Sequence, residues 1–558
     1  MVFLVIEKER NDLIMWPSIR AFLNIPENLT GKGVNIAVID SSFAQHPDIT
    51  SNRQRNTYLI QTSEPDTQPV LLQSNEGPWN KGLHGLWSAT AAAGSGMLSN
   101  GFFTGAAPDA NLYLLQTGSF YTSNDAEEKI GKALEWLKAN WRSSNIRGVV
   151  LTVTATRDTG LLPWQADPVR ILCEELMSEG LLIVSSSGNT KELTCDGPSA
   201  SPSVLSVGGV IVPVDGDALH AQAYHGCRGN TFDNKWVPEI LAPAGNVVLP
   251  MPFQSEEERL HHYTASYDNL PDGYARTEGT SYSGPIILGA AACIWQVNPL
   301  WSAAKVKEAI LRSSTHSPHV WNELRSGLVN VSAAVNMNVS FDDEGFLATT
   351  PFLLWKSWKE REHTESLAAL RSGDEEETLA ALFSYFSEPL SIEMFHDIHP
   401  LLQHSSYKIR AAAIILLSEC PETISIEDLR PLFKDTSSYV RMGVLYACGK
   451  CPDLWEQLLI DIAALFSDMD SDIQYASLTL AAQVKHPFFI SPIIAGLMDD
   501  AVNQRVSTFS QRCHALEQIT GIQFDSEPEW REGQCWYSAR STETRVGIAR
   551  KWIAWQSS

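Results

Sequence analysis

The fold is decided by one stretch, Gly279 to Trp295, which reads GTSYSGPIILGAAACIW. It begins as a tight turn, and the apolar run from Ile286 onward is typical of a buried helix. Pro285 suits the first turn of a helix, where no backbone N–H is required. The pattern predicts that Ser281 lies just ahead of a helix N-terminus, where free N–H groups stabilise developing negative charge. Such a position suits an acyl-transfer nucleophile, although an ordinary helix cap has the same pattern.

Three polar residues stand at the ends of predicted elements farther upstream. Asp40 ends the apolar run 34–39, which predicts a buried strand. His84 opens an alanine-rich helix, and Asn189 follows the predicted strand 181–187. A carboxylate at the end of a parallel strand is well placed for a site, and an amide N–H₂ is an uncharged donor for an oxyanion. Taken singly, each residue is explained at least as well by a structural role, Asp40 and Asn189 as turn residues and His84 as a structural or exposed histidine.

Predicted strands alternate with predicted helices in the N-terminal half of the chain. Further strands are predicted at 111–115 and 149–154, and amphipathic helices at 126–141 and 169–179. Strands that alternate with helices form a mostly parallel sheet covered by helices on both faces. The predicted fold class of this half is therefore α/β.

The charge balance of the chain is acidic. It has 558 residues, 41 of them Lys or Arg and 65 Asp or Glu, and a formal net charge of −24. This charge argues against a nucleic-acid binder and leaves solubility or a basic partner as its meaning. The length predicts two or three domains, because a single core stops growing near ~250–300 residues.

Cysteine usage and hydropathy indicate the compartment. Nine cysteines, an odd number spread along a long chain, do not form the pattern of a disulfide framework. The first residues lack the features of a secretory signal peptide. The longest apolar run, 286–295, is far shorter than the ~20 residues that a membrane helix needs. We therefore expect a soluble cytoplasmic protein with no membrane segment.

The polar residues belong to a longer series of motifs. In chain order these are Gly31-Lys32-Gly33-Val34 through Asp40, His46-Pro47-Asp48-Ile49, His84-Gly85, Gly105 to Ala110, Ser187-Gly188-Asn189, Pro202 to Gly208, Leu241-Ala242-Pro243, and Gly279-Thr280-Ser281 with Pro285. In their order and number they resemble the motifs of the subtilisin-like serine proteases. The resemblance covers residues 31–337, which we assign to a protease domain.

The resemblance implies a role for each of four residues. Ser281 is expected to attack the substrate carbonyl, His84 to act as general base and then acid, and Asp40 to orient His84. Asn189 and the Ser281 backbone N–H are expected to hold the oxyanion. No cofactor is expected. Calcium is common in this family, but no ligand set can be located in the sequence.

Five further residues are expected to bind the substrate: Thr154, Ala155, Thr156, Ser187 and Gly188. Where the family usually has Ser-Leu-Gly in the strand that pairs with the substrate, this chain has Thr-Ala-Thr at 154–156. Thr156 replaces a glycine beside the primary specificity pocket. Its side chain should narrow that pocket or push the substrate strand outward, which favours small residues or a selective site.

Two segments of the predicted protease region carry alternative interpretations. Residues 1–30 form an N-terminal extension that either lies across the cleft as a short inhibitory segment or packs on the domain. Residues 253–278 form a polar insert just before the nucleophile, and this insert is either a lid or exosite or an ordinary surface loop.

After residue 337 the sequence pattern becomes helical. We assign 338–377 to a linker and 378–558 to a helical repeat domain, because similar helix openings recur at Ile409, Val440 and Ile473 with spacings of 31 and 33 residues. This period resembles HEAT-type repeats, which present elongated surfaces to protein partners. A purely structural brace is the alternative.

Two motifs in the repeats have the appearance of metal sites. Cys448 and Cys451 have CxxC spacing without a second ligand pair, which argues against zinc. The run 468–472 begins like a calcium loop but has Ile473 at the sixth position and Thr479 at the twelfth. We interpret this run as a turn between helices.

The sequence therefore predicts a serine endopeptidase that cleaves protein substrates, with a repeat domain that recruits a substrate or a regulator. We expect a chain without the repeats to cut short peptides and to lose its protein target. Two alternatives remain: an interaction scaffold with a closed or inactive protease fold, and a peptide-maturing transacylase, in which an amine replaces water in the second step.

Overall fold

The computed structural model describes residues 16–50, 55–64, 67–72, 82–119, 123–153, 160–195, 197–252, 270–271, 273–340, 350–386, 392–420, 424–524 and 541–558. Residues 16–340 contain all the described strands, and we call them the sheet unit. Residues 350–558 are helical, and we call them the helical unit. None of the described helices combines the length and apolar character needed to cross a bilayer.

A ten-stranded sheet forms the centre of the sheet unit. The strand order is β14-β11-β7-β6-β5-β1-β4-β2-β3, with β8 paired to β7, and the pairs are parallel except β2–β3 and β7–β8. Two short antiparallel pairs, β9–β10 and β12–β13, lie outside it. The strands are β1 (Asn35–Asp40), β2 (Thr57–Gln61), β3 (Val70–Leu71), β4 (Asn111–Gln116), β5 (Ile146–Leu151), β6 (Leu182–Ser186), β7 (Leu205–Ile211), β8 (Gln222–Ala223), β9 (Gly229–Asn230), β10 (Trp236–Val237), β11 (Ile240–Gly245), β12 (Val247–Pro250), β13 (Tyr274–Thr277) and β14 (Gly327–Leu328).

Helices cover this sheet, and one of them is buried along nearly its whole length. They are α1 (Ile19–Phe22), α2 (Pro47–Thr50), α3 (Leu83–Ala93), α4 (Ser123–Asn140), α5 (Pro168–Ser178), α6 (Thr280–Val297), α7 (Ala303–Arg312), α8 (Pro318–Leu324) and α9 (Val331–Val335). Helix α6 packs against α3 and across strands β5, β6, β7 and β11. Ile286, Ile287 and Leu288 are fully buried there, and each stabilises the fold by about 1.5–3 kcal/mol relative to an exposed position.

These elements confirm the predicted α/β class and refine one boundary. Helix α6 begins at Thr280, so Ser281 is its second residue and Pro285 its sixth. The prediction that Ser281 precedes the helix and that Pro285 lies in its first turn is wrong by about one turn. The reason is Gly279, whose φ of 146° ends the preceding strand abruptly and lets the helix begin at once.

The described part of the predicted N-terminal extension belongs to the core of the sheet unit. Ile19 and Phe22 are buried in the main core, and the Arg20 guanidinium donates to the carbonyl oxygens of Leu29 and Ala106 at 2.7 and 2.6 Å. Residues 16–30 therefore pack on the domain, as one of the two alternatives has it. Residues 1–15 lie outside the described residues.

The helical unit begins earlier than the sequence indicates. Helices α10 and α11 occupy the segment assigned to a linker, because its apolar residues recur at helical spacing and bury Trp355 and Leu370 while the charged residues face solvent. The helices are α10 (Pro351–Lys359), α11 (His363–Leu370), α12 (Glu375–Ser384), α13 (Ile392–Ile398), α14 (Tyr407–Leu417), α15 (Ile426–Leu432), α16 (Ser438–Lys450), α17 (Trp455–Ala464), α18 (Ser471–Val484), α19 (Ile490–Val502), α20 (Val506–Thr520) and α21 (Thr542–Ser557).

Helices α14, α16, α18 and α20 pack one against the next. Two bidentate ion pairs link successive layers: Arg410 of α14 to Asp435 at 2.8 and 2.9 Å, and Arg441 of α16 to Asp468 at 2.8 and 2.7 Å. Each carboxylate lies in the turn just before the next helix of the series. The planar guanidinium fixes both distance and angle, so these pairs set the stagger between layers.

The two units share apolar side chains. Phe232, from the turn between β9 and β10, is 2% exposed and packs edge-on against Phe383 and Tyr439, with ring centroids 6.2 and 5.7 Å away. The Lys408 ammonium lies 5.6 Å from the centre of the same ring. Leu161 and Leu162 of the sheet unit are buried in this cluster too. The core of the helical unit thus includes residues of the sheet unit.

Replacing Phe232 should loosen this junction. We expect Phe232→Ala to lower the free energy of unfolding by about 3–5 kcal/mol, because it removes a buried ring and leaves a cavity between the units. The shift in urea midpoint of the full chain measures the loss. Phe488→Ala is the matched control, because Phe488 is 42% exposed and its loss should change stability by no more than about 0.5 kcal/mol. Equal losses in the two variants would contradict a shared core.

Candidate active site

Asp40 and His84 form a hydrogen-bonded pair at the C-terminal end of β1. Nδ1 of His84 lies 2.8 Å from Oδ2 of Asp40. The carboxylate is fully buried, whereas the His84 side chain is 29% exposed. One face of the imidazole ring therefore remains open to a ligand while its Nδ1 is held from behind.

Close packing of α3 on the loop after β1 brings these two side chains together. His84 is the second residue of α3, and the third is Gly85. A β-carbon at Gly85 would lie 2.1 Å from the Ser42 carbonyl oxygen, so any larger residue would force the helix away. The glycine thus sets the distance between the imidazole and the carboxylate of Asp40.

Asp40 receives more hydrogen bonds than the one from His84. Its Oδ2 accepts from the Thr152 hydroxyl at 2.7 Å and from Ser88 Oγ at 3.1 Å, and its Oδ1 accepts from the Ser41 backbone N–H at 2.7 Å. Burial alone would raise the pKa of Asp40, but the charge of His84 and these hydrogen bonds outweigh it and hold the pKa below its ordinary value of 3.8. The carboxyl is therefore ionised at neutral pH.

The same pairing changes the acidity of His84. Burial disfavours the charged imidazolium, but the negative charge of Asp40 and the hydrogen bond to it dominate, so the pKa of His84 lies above its ordinary value of 6.5. A ring with this pKa is a stronger base than a free histidine. It can take up a proton near neutral pH and release it again.

Ser281 is the second residue of α6, at the N-terminus of this helix. Its side chain is partly exposed, whereas the next residue, Tyr282, is buried with its ring centroid 6.1 Å from that of His84. Over the residues that the structure describes, the backbone N–H of Ser281 donates to no acceptor. The free N–H of Ser281 and the positive end of the helix dipole therefore point out of the first turn of α6.

Asn189 is attached to the same turn by its amide oxygen. Oδ1 of Asn189 accepts from the backbone N–H of Thr280 at 2.8 Å and from its hydroxyl at 3.0 Å. The other end of Thr280 is fixed as well, because Ser186 donates to its carbonyl oxygen at 2.7 Å. With the oxygen occupied in this way, the N–H₂ group of Asn189 is the end left to donate to a ligand.

The residues before Asn189 support its position. Ser187 is fully buried, and its backbone N–H donates to Val207 of the adjacent strand at 2.9 Å. The carbonyl oxygen of Gly188 accepts from the Thr280 hydroxyl at 3.1 Å. Thr154, Ala155 and Thr156 lie outside the described residues. The same holds for residues 253–269 and 272 of the predicted insert, whereas its end forms β13.

Four residues of the site were not singled out by sequence reasoning. Thr152 ends a strand next to β1, and Ser88 stands one helical turn after His84, so strand order and helix periodicity were the available signals. Thr280 and Ser186 act through backbone and hydroxyl contacts, which no residue pattern marks.

No metal site accompanies this arrangement in the part of the chain that the structure describes: three or more His, Cys, Asp or Glu side chains do not gather there in a way that would hold an ion. Cys448 and Cys451 are both free, and burial raises the pKa of both thiols.

Comparison with known proteins identifies the family to which this chain is similar. The model of the family described as Subtilase family matches residues 31–332, more than half of the chain. Serine protease AprX of Bacillus subtilis (strain 168) is 27% identical over 323 residues, which cover 55% of this chain and 67% of the relative. Subtilisin BL of Lederbergia lenta is 27% identical over 308 residues, which cover 55% of this chain and 92% of the relative. The family match ends before the helical unit begins.

Solved structures with related folds were also found. The prenylagaramide maturation protease PagA is 18% identical with a TM-score of 0.41, over 57% of this chain and 97% of that chain. Fervidolysin from Fervidobacterium pennivorans is 15% identical with a TM-score of 0.44, over 57% of this chain and 46% of that chain.

The contact between Asp40 and His84 leads to a prediction about the pKa of His84. We expect His84 to titrate above 6.5 in the native chain and below 6.5 in Asp40→Asn, because burial then acts without an opposing charge. NMR titration of histidine-labelled protein measures both values. His220 is the internal control: its pKa is raised by Asp215 at the surface and should be the same in both proteins. An unchanged His84 pKa in the variant would contradict the assigned cause.

Proposed function

The chain belongs to the subtilase family and is a subtilisin-like serine peptidase, and we propose that it is an endopeptidase that cleaves protein substrates with Ser281, His84 and Asp40. The observation that supports this most directly is the 2.8 Å contact between His84 and a fully buried Asp40, together with the ring of Tyr282, the residue after Ser281, centred 6.1 Å from that of His84. A serine hydroxyl is a weak nucleophile until a base removes its proton.

In the first step Ser281 Oγ attacks the carbonyl carbon of the scissile peptide bond. His84 takes the hydroxyl proton on Nε2 as the new C–O bond forms, and the carbonyl π electrons move to the oxygen. The resulting imidazolium is stabilised by Asp40. His84 then gives the proton to the leaving amine nitrogen, the C–N bond breaks, and an acyl-enzyme remains on Ser281.

The tetrahedral intermediate carries a negative oxygen, which two donors are placed to receive. One is the free backbone N–H of Ser281, and the other is the N–H₂ group of Asn189, whose oxygen is already occupied by Thr280. A side-chain donor of this kind contributes about 2.7–4 kcal/mol to the transition state in a subtilisin. Because the donors are fixed before the substrate arrives, the chain pays no ordering cost during the reaction.

In the second step water replaces the departed amine. His84 removes a proton from the water as its oxygen attacks the ester carbonyl, and returns that proton to Ser281 Oγ as the ester bond breaks. A transacylase would use the same acyl-enzyme and differ only in accepting an amine at this step. The mass of the product distinguishes these outcomes, because hydrolysis adds water and aminolysis does not.

We further propose that the substrate lies extended along 154–156 and beside Gly188. An extended peptide substrate pairs through backbone donors and acceptors. Ser187 would contribute through its position, because its side chain is fully buried. The chemistry uses only side chains and backbone groups of the chain, without a cofactor.

The helical unit is proposed to be a HEAT-type array that recruits a protein substrate or regulator. The first-turn ends of α16, α18 and α20 face the sheet unit, and helix α17 presents Ile460 with 73% of its surface exposed. Stacked helix pairs of this kind offer extended surfaces to proteins. A cytoplasmic location is part of the proposal, because nine cysteines, an odd number spread along a long chain, do not form the pattern of a disulfide framework.

Replacing the nucleophile tests the enzyme against the scaffold. We expect a fluorophosphonate probe to label the native full chain and not Ser281→Ala, because the probe reacts only with an activated serine hydroxyl. Ser283→Ala is the matched control, because the Ser283 hydroxyl is fully buried and bonds to the Pro243 carbonyl. If the native chain incorporates no probe and releases no peptide fragments, the interaction scaffold is the better description.

The recruiting role has a separate test that keeps the chain intact. Ser281→Ala binds a substrate without cutting it, so it can capture the protein target from native extract for identification by mass spectrometry. We expect Ile460→Arg to lower kcat/KM for that target several-fold, since Ile460 is exposed on the face proposed to bind it. Cleavage of a short peptide should be unchanged. Equal kcat/KM values for the target in native and Ile460→Arg chains would contradict recruitment by this face.

A further inference from the structure

We propose that Asp472 of the helical unit is a positioning residue for the oxyanion-binding amide of Asn189. Asp472 holds the segment 190–195, which follows Asn189 directly in the chain. The inference rests on the proposed function of Asn189. It gives the helical unit a part in the chemistry that is independent of any partner it binds.

Asp472 reaches across the junction with both carboxylate oxygens. The backbone N–H of Thr194 lies 3.1 Å from Oδ2 and 3.3 Å from Oδ1, and the Thr194 hydroxyl donates to Oδ2 at 2.9 Å. The side chain of Asp472 is 3% exposed, in the first turn of α18. A buried carboxylate is costly unless its hydrogen bonds are satisfied, so this one restrains Thr194 in both distance and direction.

The two residues before Thr194 are held by the helical unit as well. The Glu192 carboxylate accepts from the backbone N–H of Val506, the first residue of α20, at 2.5 Å. Tyr475 of α18 packs against the small apolar cluster that contains Leu193 and Cys195. Every residue from 192 to 195 therefore contacts the helical unit directly or through this cluster.

The helical unit also holds strand β9 of the sheet unit and the residue that follows it. The hydroxyl of Tyr439 in α16 donates to the carbonyl oxygens of Asn230 and Thr231 at 3.3 and 3.4 Å. This strand begins beside the segment 190–195, because the Arg228 N–H donates to the Leu193 carbonyl at 3.0 Å. The helical unit thus holds both chain segments that flank the turn at Asn189.

Asn189 gains from this support because its side chain is exposed to solvent. Among the described residues, its amide oxygen accepts two hydrogen bonds from Thr280, and Cys227 contacts the neighbouring Gly188 carbonyl and Thr190 hydroxyl. Segment 190–195 turns immediately after it, with the Leu193 N–H donating to the Thr190 carbonyl at 3.1 Å. A displacement of Thr194 would be transmitted through four residues to the amide, and an error of about 1 Å at a reacting group can reduce the rate about 100-fold.

The first test separates kcat from KM on a short chromogenic peptide with the full-length chain. We expect Asp472→Ala to lower kcat about 10- to 100-fold with KM within about twofold, since the oxyanion forms only after binding. Asp472→Asn keeps an acceptor for Thr194 and should recover part of the rate. Asp468→Ala is the control, because Asp468 lies just before α18 and its carboxylate pairs with Arg441 of the helical unit. A kcat of Asp472→Ala equal to that of Asp468→Ala would overturn the inference.

The second test is a double-mutant cycle with Asn189→Ala. That substitution alone should lower kcat about 10²–10³-fold. If Asp472 acts through the Asn189 amide, adding Asp472→Ala should cause no further loss. Losses that multiply would show that Asp472 acts by another route, and the inference would be wrong.

A third measurement does not depend on activity. Hydrogen exchange at the Thr194 amide should be at least about tenfold faster in Asp472→Ala than in the native chain or in Asp468→Ala, because its acceptor is gone. Unchanged exchange overturns the inference even if the native chain hydrolyses nothing. Absence of hydrolysis in the native chain, together with faster exchange, would overturn the proposed function and leave the contact established.

Discussion

The structure of the site depends on keeping a fully buried carboxylate ionised. Asp40 has no contact with solvent, and desolvation on its own would favour the protonated acid, which is a poor partner for an imidazolium. The surrounding donors reverse that preference. They come from three directions: the end of the neighbouring strand, the first turns of α3, and the backbone beyond β1. The charge at Asp40 therefore requires that β5 lie parallel to β1 and that α3 pack closely on them. The hydrophobic core requires the same arrangement.

The groups on the other side of the cleft are also held in place by the surrounding structure. Helix α6 is held by apolar burial along its length, so its first turn can leave backbone donors free for a ligand. The side chain of Asn189 is oriented by the two hydrogen bonds that its oxygen accepts from Thr280, and not by burial. Its surroundings are completed by the helical unit, whose core also encloses Phe232. The two units are consequently joined by apolar packing at one point and by directed hydrogen bonds at another.

Sequence patterns predicted several of the strands and helices but not the contacts between them. Buried strands such as β1 and β6 are continuous apolar runs, and the repeat openings at 409, 440 and 473 fall within helices that the structure contains. Helix α6 begins earlier than the sequence predicts, because Gly279 adopts a backbone conformation that no periodicity encodes. The segment 338–377, which the sequence predicts to be a linker, contains helices α10 and α11, because a narrow apolar stripe recurs among its many charges. Asp472 had the appearance of a turn residue, since its partner Thr194 is far away in sequence and only the fold brings them together.

The contact between Thr194 and Asp472 also orders events during synthesis. Asp40, His84, Asn189 and Ser281 all leave the ribosome before α18 does, because synthesis proceeds from the N-terminus. Until α18 and α20 emerge and dock, segment 190–195 has no carboxylate or helix end to lie against. A nascent protease in that state would hold its nucleophile and base but an unsupported oxyanion donor. Docking of α18 and α20 would then time the onset of cleavage.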